Sequence, residues 1–336
     1  MIVEVLVRLS AGENLALDEM SAVIDLVMRG DVRDDQISLL LTALRAKGET
    51  VEEIAGAAAA MRRHMRPIHS ARTGLLDTCG TGGDGSRTFN ISTAAALVTA
   101  AAGVPVAKHG NRAATSRSGS ADVLAELGVN VNADLPVVER CLDRLGICFC
   151  FAPLFHPAMK RVGAVRARLG VPTIFNLLGP LSNPAGASFQ LLGVGKPHLR
   201  NLLARALQLL GTKRAVIVCG EDGLDEVTIA APTCVTEISG ERLREMTWMP
   251  ETFGLQPSPL DALIVDDPTA SAAMIRSVFD GNLGPARDIV IANAAAALWT
   301  AGKSNSLEQC ADLAVAAIDS DAARELLERL VELTNA

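Results

Sequence analysis

Four glycines fall within six residues at Gly80-Thr81-Gly82-Gly83-Asp84-Gly85. They follow a short apolar run, Leu75-Leu76-Asp77-Thr78-Cys79, and precede Asn90-Ile91-Ser92-Thr93. Such a loop lets the backbone approach a ligand closely and turn its N–H groups inward. A helix starting near Asn90 adds the positive end of its dipole, and Asn90, Ser92 and Thr93 add side-chain donors. A second cluster follows at Lys108-His109-Gly110-Asn111-Arg112 and Thr115-Ser116-Arg117-Ser118-Gly119-Ser120. It places several cationic groups within ten residues, in a chain of formal net charge −7. A cationic loop in an acidic chain points to one specific anion rather than to nucleic acid. The chemistry these residues suit is phosphate binding.

The kind of phosphate ligand is less tightly specified. Gly80, Gly82 and Gly85 match G-x-G-x-x-G, the dinucleotide fingerprint. That fingerprint also wants an acidic residue about 20 residues on, at the end of the next strand. Here the strand, about Val104 to Ala107, runs into the cationic pair Lys108-His109, which leaves room only for an NADP-type site. A Walker loop fails, because no Gly-Lys-Ser/Thr follows the glycines. Further along, Glu221-Asp222-Gly223-Leu224-Asp225-Glu226 carries four acids in six residues after an apolar strand. A sheet of this class binds ligands at such strand ends. The adjacent carboxylates Asp225 and Glu226 are hard oxygen donors of the kind Mg²⁺ prefers. No Ser-His-Asp-like spacing or acid/base carboxylate pair is present.

The elements that must carry these residues can be read from periodicity. In the first 70 residues, Met20, Val23, Ile24, Val27 and Met28 fall on one helical face, and Ile37, Leu40, Leu41 and Leu44 repeat the pattern. Thr50 and Glu53 form a capping box ahead of Ile54. From Leu75 the pattern becomes strand–helix alternation. Strands are expected at Ile147–Phe151, Gln190–Gly195, Ala215–Cys219 and Val227–Ile229, with a hairpin over Thr233–Glu245. Helices are expected from Met159 to Leu169, from Arg287 to Trp299 and from Ser306 to Leu333. The expected fold is α/β, a mainly parallel central sheet flanked by helices, with a small all-helical domain. Residues 1–70 form that helical domain, joined by about 170–190, and residues 71–169 and 191–336 form the α/β domain.

Composition agrees. Of 336 residues, 49% are hydrophobic and 3% aromatic, mostly small aliphatics that suit helices on a buried sheet. Seven cysteines without a C-x-x-C pair imply reduced thiols and a cytoplasmic setting. The N-terminal apolar run is broken by Glu4 and Arg8, which is unlike a signal peptide. No run has the length and apolarity of a membrane span.

The ordered motifs resemble a known family. Gly80-Thr81-Gly82-Gly83-Asp84, Asn90-Ile91-Ser92-Thr93, Lys108-His109-Gly110-Asn111-Arg112 and Ser118-Gly119-Ser120-Ala121-Asp122 are similar to the motif series of the anthranilate phosphoribosyltransferases. These belong to the nucleoside-phosphorylase-like, class IV phosphoribosyltransferase group. The series continues through His156-Pro157-Ala158-Met159-Lys160, Phe175-Asn176-Leu177-Leu178-Gly179-Pro180, Asn183-Pro184, Gly223-Leu224-Asp225-Glu226 and Gly284-Pro285-Ala286-Arg287-Asp288. It spans nearly the whole chain, in order.

The resemblance implies phosphoribosyl transfer from 5-phosphoribosyl 1-pyrophosphate (PRPP) to the amine of anthranilate, in tryptophan biosynthesis. By carry-over, Gly80, Gly83, Asp84, Thr88, Asn90, Ile91, Ser92, Thr93, Lys108, His109, Gly110, Asn111, Arg112, Ala113, Ala114, Thr115, Ser116 and Ser120 bind substrate, chiefly the donor. Ser92, Asp225 and Glu226 hold Mg²⁺. Arg166 matches the arginine of the family's Val-Arg-x-x-Leu-Gly motif, which holds the anthranilate carboxylate, and Asn111 also faces the acceptor. Lys108, Asn111 and Arg166 act by positioning; no residue acts as an acid or base. His109 is either a partner of the acceptor or part of the loop's structure. The family often places an arginine two residues after its Leu-Gly, where this chain has Val171-Pro172. A homodimer through the helical domain is implied, with no nucleic-acid or membrane partner. Three other classes stay open on the residues: a pyrimidine nucleoside phosphorylase, a non-catalytic or nucleic-acid-binding relative of the transferase and an NADP enzyme. The Lys-His-Gly-Asn-Arg loop opposes the first, and the intact Asp225-Glu226 pair opposes the second.

Overall fold

The computed structural model describes residues 1–113 and 117–336. The chain opens with four helices: α1 (Ile2–Ser10), α2 (Leu17–Arg29), α3 (Asp34–Lys47) and α4 (Val51–His64). Met20, Val23, Ile24 and Val27 form the buried stripe of α2, as their spacing requires. Gly30 then ends α2 with φ 84°, a left-handed cap that glycine adopts without steric cost. At the start of α4, the Thr50 side chain accepts from the Glu53 N–H at 3.3 Å, and Glu53 accepts from the Thr50 N–H at 2.9 Å. Glu53 is fully buried, pairs with Lys47 at 2.8 Å and accepts from the Leu15 N–H at 2.9 Å. One carboxylate thus joins three segments of the helical part.

Alternation begins with β1 (Leu76–Gly80), α5 (Ile91–Ala101), β2 (Val106–Gly110), α6 (Ser120–Glu126), α7 (Leu135–Leu145) and β3 (Ile147–Phe151). Next come α8 (Ala152–Phe155), α9 (Met159–Leu169), α10 (Phe175–Leu178), β4 (Phe189–Gly193), α11 (Pro197–Leu209) and β5 (Arg214–Gly220). The chain closes with β6 (Thr233–Ser239), β7 (Arg242–Trp248), α12 (Pro268–Phe279), α13 (Pro285–Thr300), α14 (Leu307–Asp319) and α15 (Ala322–Asn335). The strands form one sheet in the order β3-β2-β1-β4-β5-β6-β7. β1 to β5 pair in parallel, and the β6–β7 hairpin adds two antiparallel strands at one edge. The result is the mainly parallel α/β sheet with a helical N-terminal part that the sequence leads one to expect. The sheet grows from β1 in both directions, to β2 and β3 on one side and to β4 and β5 on the other. The crevice beyond the carboxyl ends of β1 and β4 is therefore the switch point where such sheets bind ligands.

Two cores cover the faces. Apolar residues of α5, α7, α13, α14 and α15 pack on one face. Those of α1 to α4, with α9, α10 and α11, pack on the other. Arg161 and Arg168 of α9 are not merely solvated. Both reach Asp34 of α3, at 2.8 and 2.7 Å, and link the two elements across the surface. Exposed pairs of this kind contribute little energy and serve mainly as registration.

Three expectations need correction. Val227–Ile229 is buried but is not a strand. The Asn293 side chain takes the place of a strand partner, accepting from the Val227 N–H at 2.9 Å and donating to the Val227 carbonyl at 2.8 Å. The stretch from Ser306 to Leu333 is two helices, not one. It breaks at Ser320-Asp321, where Asp321 takes φ 62°. Lys108 and His109 do not sit in a loop after a strand; they lie within β2 and are buried. Apolar neighbours alone do not mark the strand's end, because two polar side chains are paired inside the protein.

Candidate active site

The loop after β1 is shaped by glycines at positive φ: Gly82 at 67°, Gly83 at 76° and Gly85 at 78°. The Thr81 N–H donates to the Gly193 carbonyl at 2.9 Å, so the loop starts against the end of β4. The acidic turn after β5 closes on the same spot. Asp225 accepts from the Gly82 N–H at 2.9 Å. A side chain at Gly80 would come within 2.6 Å of the Asp225 carboxylate, and one at Gly193 would overlap the Asp225 backbone. These two glycines are required by close approach. Glu226 accepts from the Ser92 N–H at 3.2 Å, at the first turn of α5. Asp225, Glu226 and Ser92, far apart in sequence, therefore meet at the switch point.

Asp84 adds a third carboxylate. It packs against Gly195, and one of its oxygens is buried without a partner. Burial, followed by the charge of Asp84, pushes Asp225 up to about 7. Burial and the charge of Asp225 push Glu226 up to about 8, with Lys108 opposing. Both side chains keep some open surface while lying in dense protein. Crowded carboxylates with an orphaned oxygen fit a divalent cation, which would relieve their repulsion. Among the described residues, no three His, Cys, Asp or Glu side chains converge tightly enough to hold a metal alone. A Mg²⁺ ion here would complete its shell from phosphate and water, as that ion usually does.

Lys108 and His109 point to opposite sides of β2. The Lys108 ammonium donates to the Thr78 carbonyl at 2.6 Å and to the Ser92 hydroxyl at 3.2 Å. Burial pulls its pKa down, with Asp77 opposing. Pairing between β1 and β2 is confined to Leu76 opposite Val106, whereas β2 and β3 pair over five residues. Side chains satisfy the backbone groups where the two strands part. Asp77 accepts from the His109 N–H at 3.0 Å, and Asn183 donates to the Ala107 carbonyl at 2.8 Å. Sequence reasoning alone gives Asp77 and Asn183 no role. The available signal is an acid in the middle of an apolar strand.

The His109 ring is buried as well. Its Nδ1 lies 3.0 Å from the Gly179 carbonyl, and its Nε2 lies 3.2 Å from Nε2 of His156. With Nδ1 donating to Gly179, Nε2 accepts from His156. Burial and the neighbouring His156 depress His109 to about 3, and burial depresses His156 to about 4. Both rings are neutral in the fold, whereas in the unfolded chain they titrate near 6.5. Their contribution to stability is therefore complete above pH 6.5 and is lost as pH falls from 6.5 toward 4. The expected slope is about 1.4 kcal/mol per pH unit for each histidine. Denaturant melts of the wild type and His156→Gln between pH 7.5 and 4.5 isolate this from the carboxylates. The wild type should lose more stability on acidification; parallel curves would contradict the neutral pair.

The remaining candidates are placed as follows. Thr88 lies 3.2 Å from the Ser86 hydroxyl and forms an isolated bridge with Ile264. Asn90 caps α5 but its side chain is engaged by Ser118 and Ser271, at 2.6 and 2.8 Å. Ile91 and Thr93 are buried, and the Thr93 hydroxyl has no hydrogen-bond partner. A side chain at Gly110 would overlap Ser120. Asn111 is exposed, and its carbonyl accepts from the Ser120 hydroxyl at 3.3 Å. Arg112 pairs with Asp122 at 2.9 Å, and the Ala113 N–H donates to the same carboxylate at 2.8 Å. Ala114, Thr115 and Ser116 lie outside the described residues. Arg166, on α9, donates to Asn176 at 3.1 Å and lies over the Phe175 ring, 5.8 Å from its centroid. Asn176, at 2.9 Å from the Thr173 N–H, and Gly179 belong to one short segment. That segment ties Arg166 to His109. A cavity of about 500 Å³ bordered by Leu127, Arg276, Phe279 and Arg324 shares no residue with this cluster.

A glycine-rich loop, paired carboxylates at a helix start and a mainly parallel sheet with a helical N-terminal part fit a class: enzymes that hold a phosphorylated ligand with a divalent cation. Known proteins agree. Residues 72–324 match the glycosyl transferase family α/β domain, and residues 3–65 match that family's helical bundle domain. Anthranilate phosphoribosyltransferase of Rhodopirellula baltica is 49% identical over 96% of this chain and 94% of its own. The crystal structure of the enzyme of that name from Thermus thermophilus has a TM-score of 0.93 at 44% identity, covering 98% of this chain and 99% of that one. The Saccharomyces cerevisiae anthranilate phosphoribosyltransferase in complex with PRPP and Mg has a TM-score of 0.90 at 28% identity, covering 99% and 98%. The chain belongs to the glycosyl transferase family and, within it, to the anthranilate phosphoribosyltransferases.

Proposed function

We infer that the chain transfers the phosphoribosyl group of PRPP to the amine of anthranilate, giving N-(5-phosphoribosyl)anthranilate and pyrophosphate, as one step of tryptophan biosynthesis. The observation that carries this reading is the meeting of the Gly80–Gly85 loop, the α5 start and the Asp225-Glu226 pair at the switch point. The Gly82 and Ser92 N–H groups already serve Asp225 and Glu226, so the donor's phosphates take the loop amides around Gly83 and Gly85 and the positive end of the α5 dipole, and Lys108 adds a nearby positive charge. Ser92, Asp225 and Glu226 hold Mg²⁺, with Asp84 close by. The bound ion supplies neutralisation of the charge that builds on pyrophosphate.

The amine nitrogen bonds to C1 as the C1–O bond to pyrophosphate breaks, and the leaving group takes the electron pair. The nitrogen, now bonded to C1 and positively charged, then gives up one proton to the released pyrophosphate or to water. An aryl amine attacking a cationic sugar carbon needs alignment and charge stabilisation more than a strong base. Arg166 binds the anthranilate carboxylate through the two parallel hydrogen bonds a guanidinium offers. Asn111 faces the same substrate, and His109 holds the Gly179 segment that borders it. Thr88, Asn90 and the Arg112–Ser116 loop complete the donor side.

The helical unit, residues 1–70 joined by about 170–190, also presents a surface for a second copy. Met1, Val3, Val7 and Leu39 are more than half exposed there. A monomer-sized species alone in sedimentation at micromolar concentration would count against the homodimer. Seven unpaired cysteines support a cytoplasmic setting, and a titration in denaturant finding fewer than seven thiols would oppose it. Among the described residues, no helix is long and apolar enough to cross a membrane. Incubation with PRPP, Mg²⁺ and anthranilate should release one pyrophosphate per anthranilate consumed. Phosphorolysis of a pyrimidine nucleoside instead, with no pyrophosphate release, would assign the site to the neighbouring phosphorylase activity.

A further inference from the structure

The acidic pair is held from two sides, and only one of them is the ligand loop. On the other side stands α13, whose stretch from Ile289 to Thr300 is wholly buried. Nearly all of that stretch is apolar, and Asn293 is an amide at 1% exposure within it. A buried amide is costly unless its hydrogen-bonding capacity is met. Here it is met: Oδ1 accepts from the Val227 N–H at 2.9 Å, and Nδ2 donates to the carbonyls of Val227 at 2.8 Å and Ile289 at 2.9 Å. Val227 directly follows Asp225-Glu226 and is itself fully buried. Its backbone has both polar groups fixed by one side chain from another element. On the opposite side, the Asp225 backbone lies so close to Gly193 that no side chain fits between them.

We propose that Asn293 is a positioning residue for the Asp225-Glu226 pair, holding both carboxylates in place for a divalent cation before that cation arrives. The inference rests on the reading that this pair holds Mg²⁺. An apolar residue at 293 would fill the helix equally well but would leave the Val227 N–H and carbonyl buried and unpaired. The turn would then shift to find other partners, and the carboxylates would move with it. Outer partners of metal ligands commonly change affinity by about 10- to 100-fold.

The test compares wild type, Asn293→Ala, Asn293→Asp and the double variant Asp225→Asn/Glu226→Gln. Mn²⁺ binding in the presence of PRPP is followed by the electron paramagnetic resonance signal of free Mn²⁺. Both Asn293 variants should weaken Mn²⁺ by about 10-fold or more. The Mg²⁺ concentration for half-maximal activity should rise by a similar factor, kcat should recover at high Mg²⁺, and the KM for anthranilate should not move. A general packing defect would not be rescued by metal. Wild-type Mn²⁺ affinity in folded Asn293 variants, beside a weakened double variant, would overturn the clamp alone. Wild-type affinity in the double variant would remove the metal reading, and the inference with it. Hydrogen exchange of the wild type at Val227 gives a check that needs no variant. The amide should be protected in the free protein, and protection appearing only with Mg²⁺ and PRPP would contradict preorganisation.

Discussion

Arg166→Ala should raise the KM for anthranilate by about 30-fold or more, equivalent to about 2 kcal/mol, and leave that for PRPP nearly unchanged. Arg166 is half-buried beside Phe175, and burial already lowers the pKa of its guanidinium. A carboxylate is the natural partner for a cation in that setting, because each compensates the other's desolvation. Among the described contacts, its hydrogen bond goes to the neutral amide of Asn176, so the guanidinium keeps donors for a ligand. Arg166→Lys should recover only part of the affinity, since an ammonium cannot make the parallel pair of bonds. Steady-state kinetics varying each substrate in turn decides the matter. Equal losses for both substrates would place Arg166 on the donor or in the scaffold.

The second large effect is expected from Asp225→Asn with Glu226→Gln. Turnover should fall by about 100-fold or more, or about 2.7 kcal/mol of barrier, with partial rescue by high Mg²⁺. The fold should survive. Both carboxylates have raised pKa values, about 7 and about 8, so without metal they cost stability progressively as pH rises from the ordinary carboxylate range toward 7 and 8, and the full cost is present above that. Neutral amides escape this cost, so the double variant should melt no lower than the wild type at pH 8.5 without Mg²⁺. For the wild type, Mg²⁺ affinity should weaken as pH falls through 8 and 7, because protons compete for the same oxygens. Normal turnover of the variant at limiting Mg²⁺ would reduce the pair to an acidic turn.

Much of this is legible in the sequence because local signals agree with the fold. The helical stripe of α2, the capping box at Thr50 and Glu53 and the strand–helix alternation after Leu75 each follow from short-range spacing. The glycines of the β1 loop are legible too, since three of them adopt positive φ. What stays hidden depends on partners distant in sequence. Nothing near Val227 says that Asn293 will satisfy its backbone, so an apolar run reads as a strand. Nothing near Lys108 says that Thr78 and Ser92 will receive its ammonium, so a buried strand end reads as a loop. Asp77 likewise gains meaning only when β1 and β2 part and His109 needs an acceptor. Polar side chains that replace strand hydrogen bonds leave no period in the sequence.

The most direct test of the central claim follows anthranilate fluorescence in the purified protein with PRPP and Mg²⁺. The signal should fall with time, and the fall should stop when PRPP is left out or when Mg²⁺ is chelated. A persistent signal from a folded protein that binds both substrates, at any Mg²⁺ concentration, would contradict the assignment of phosphoribosyl transfer to this site.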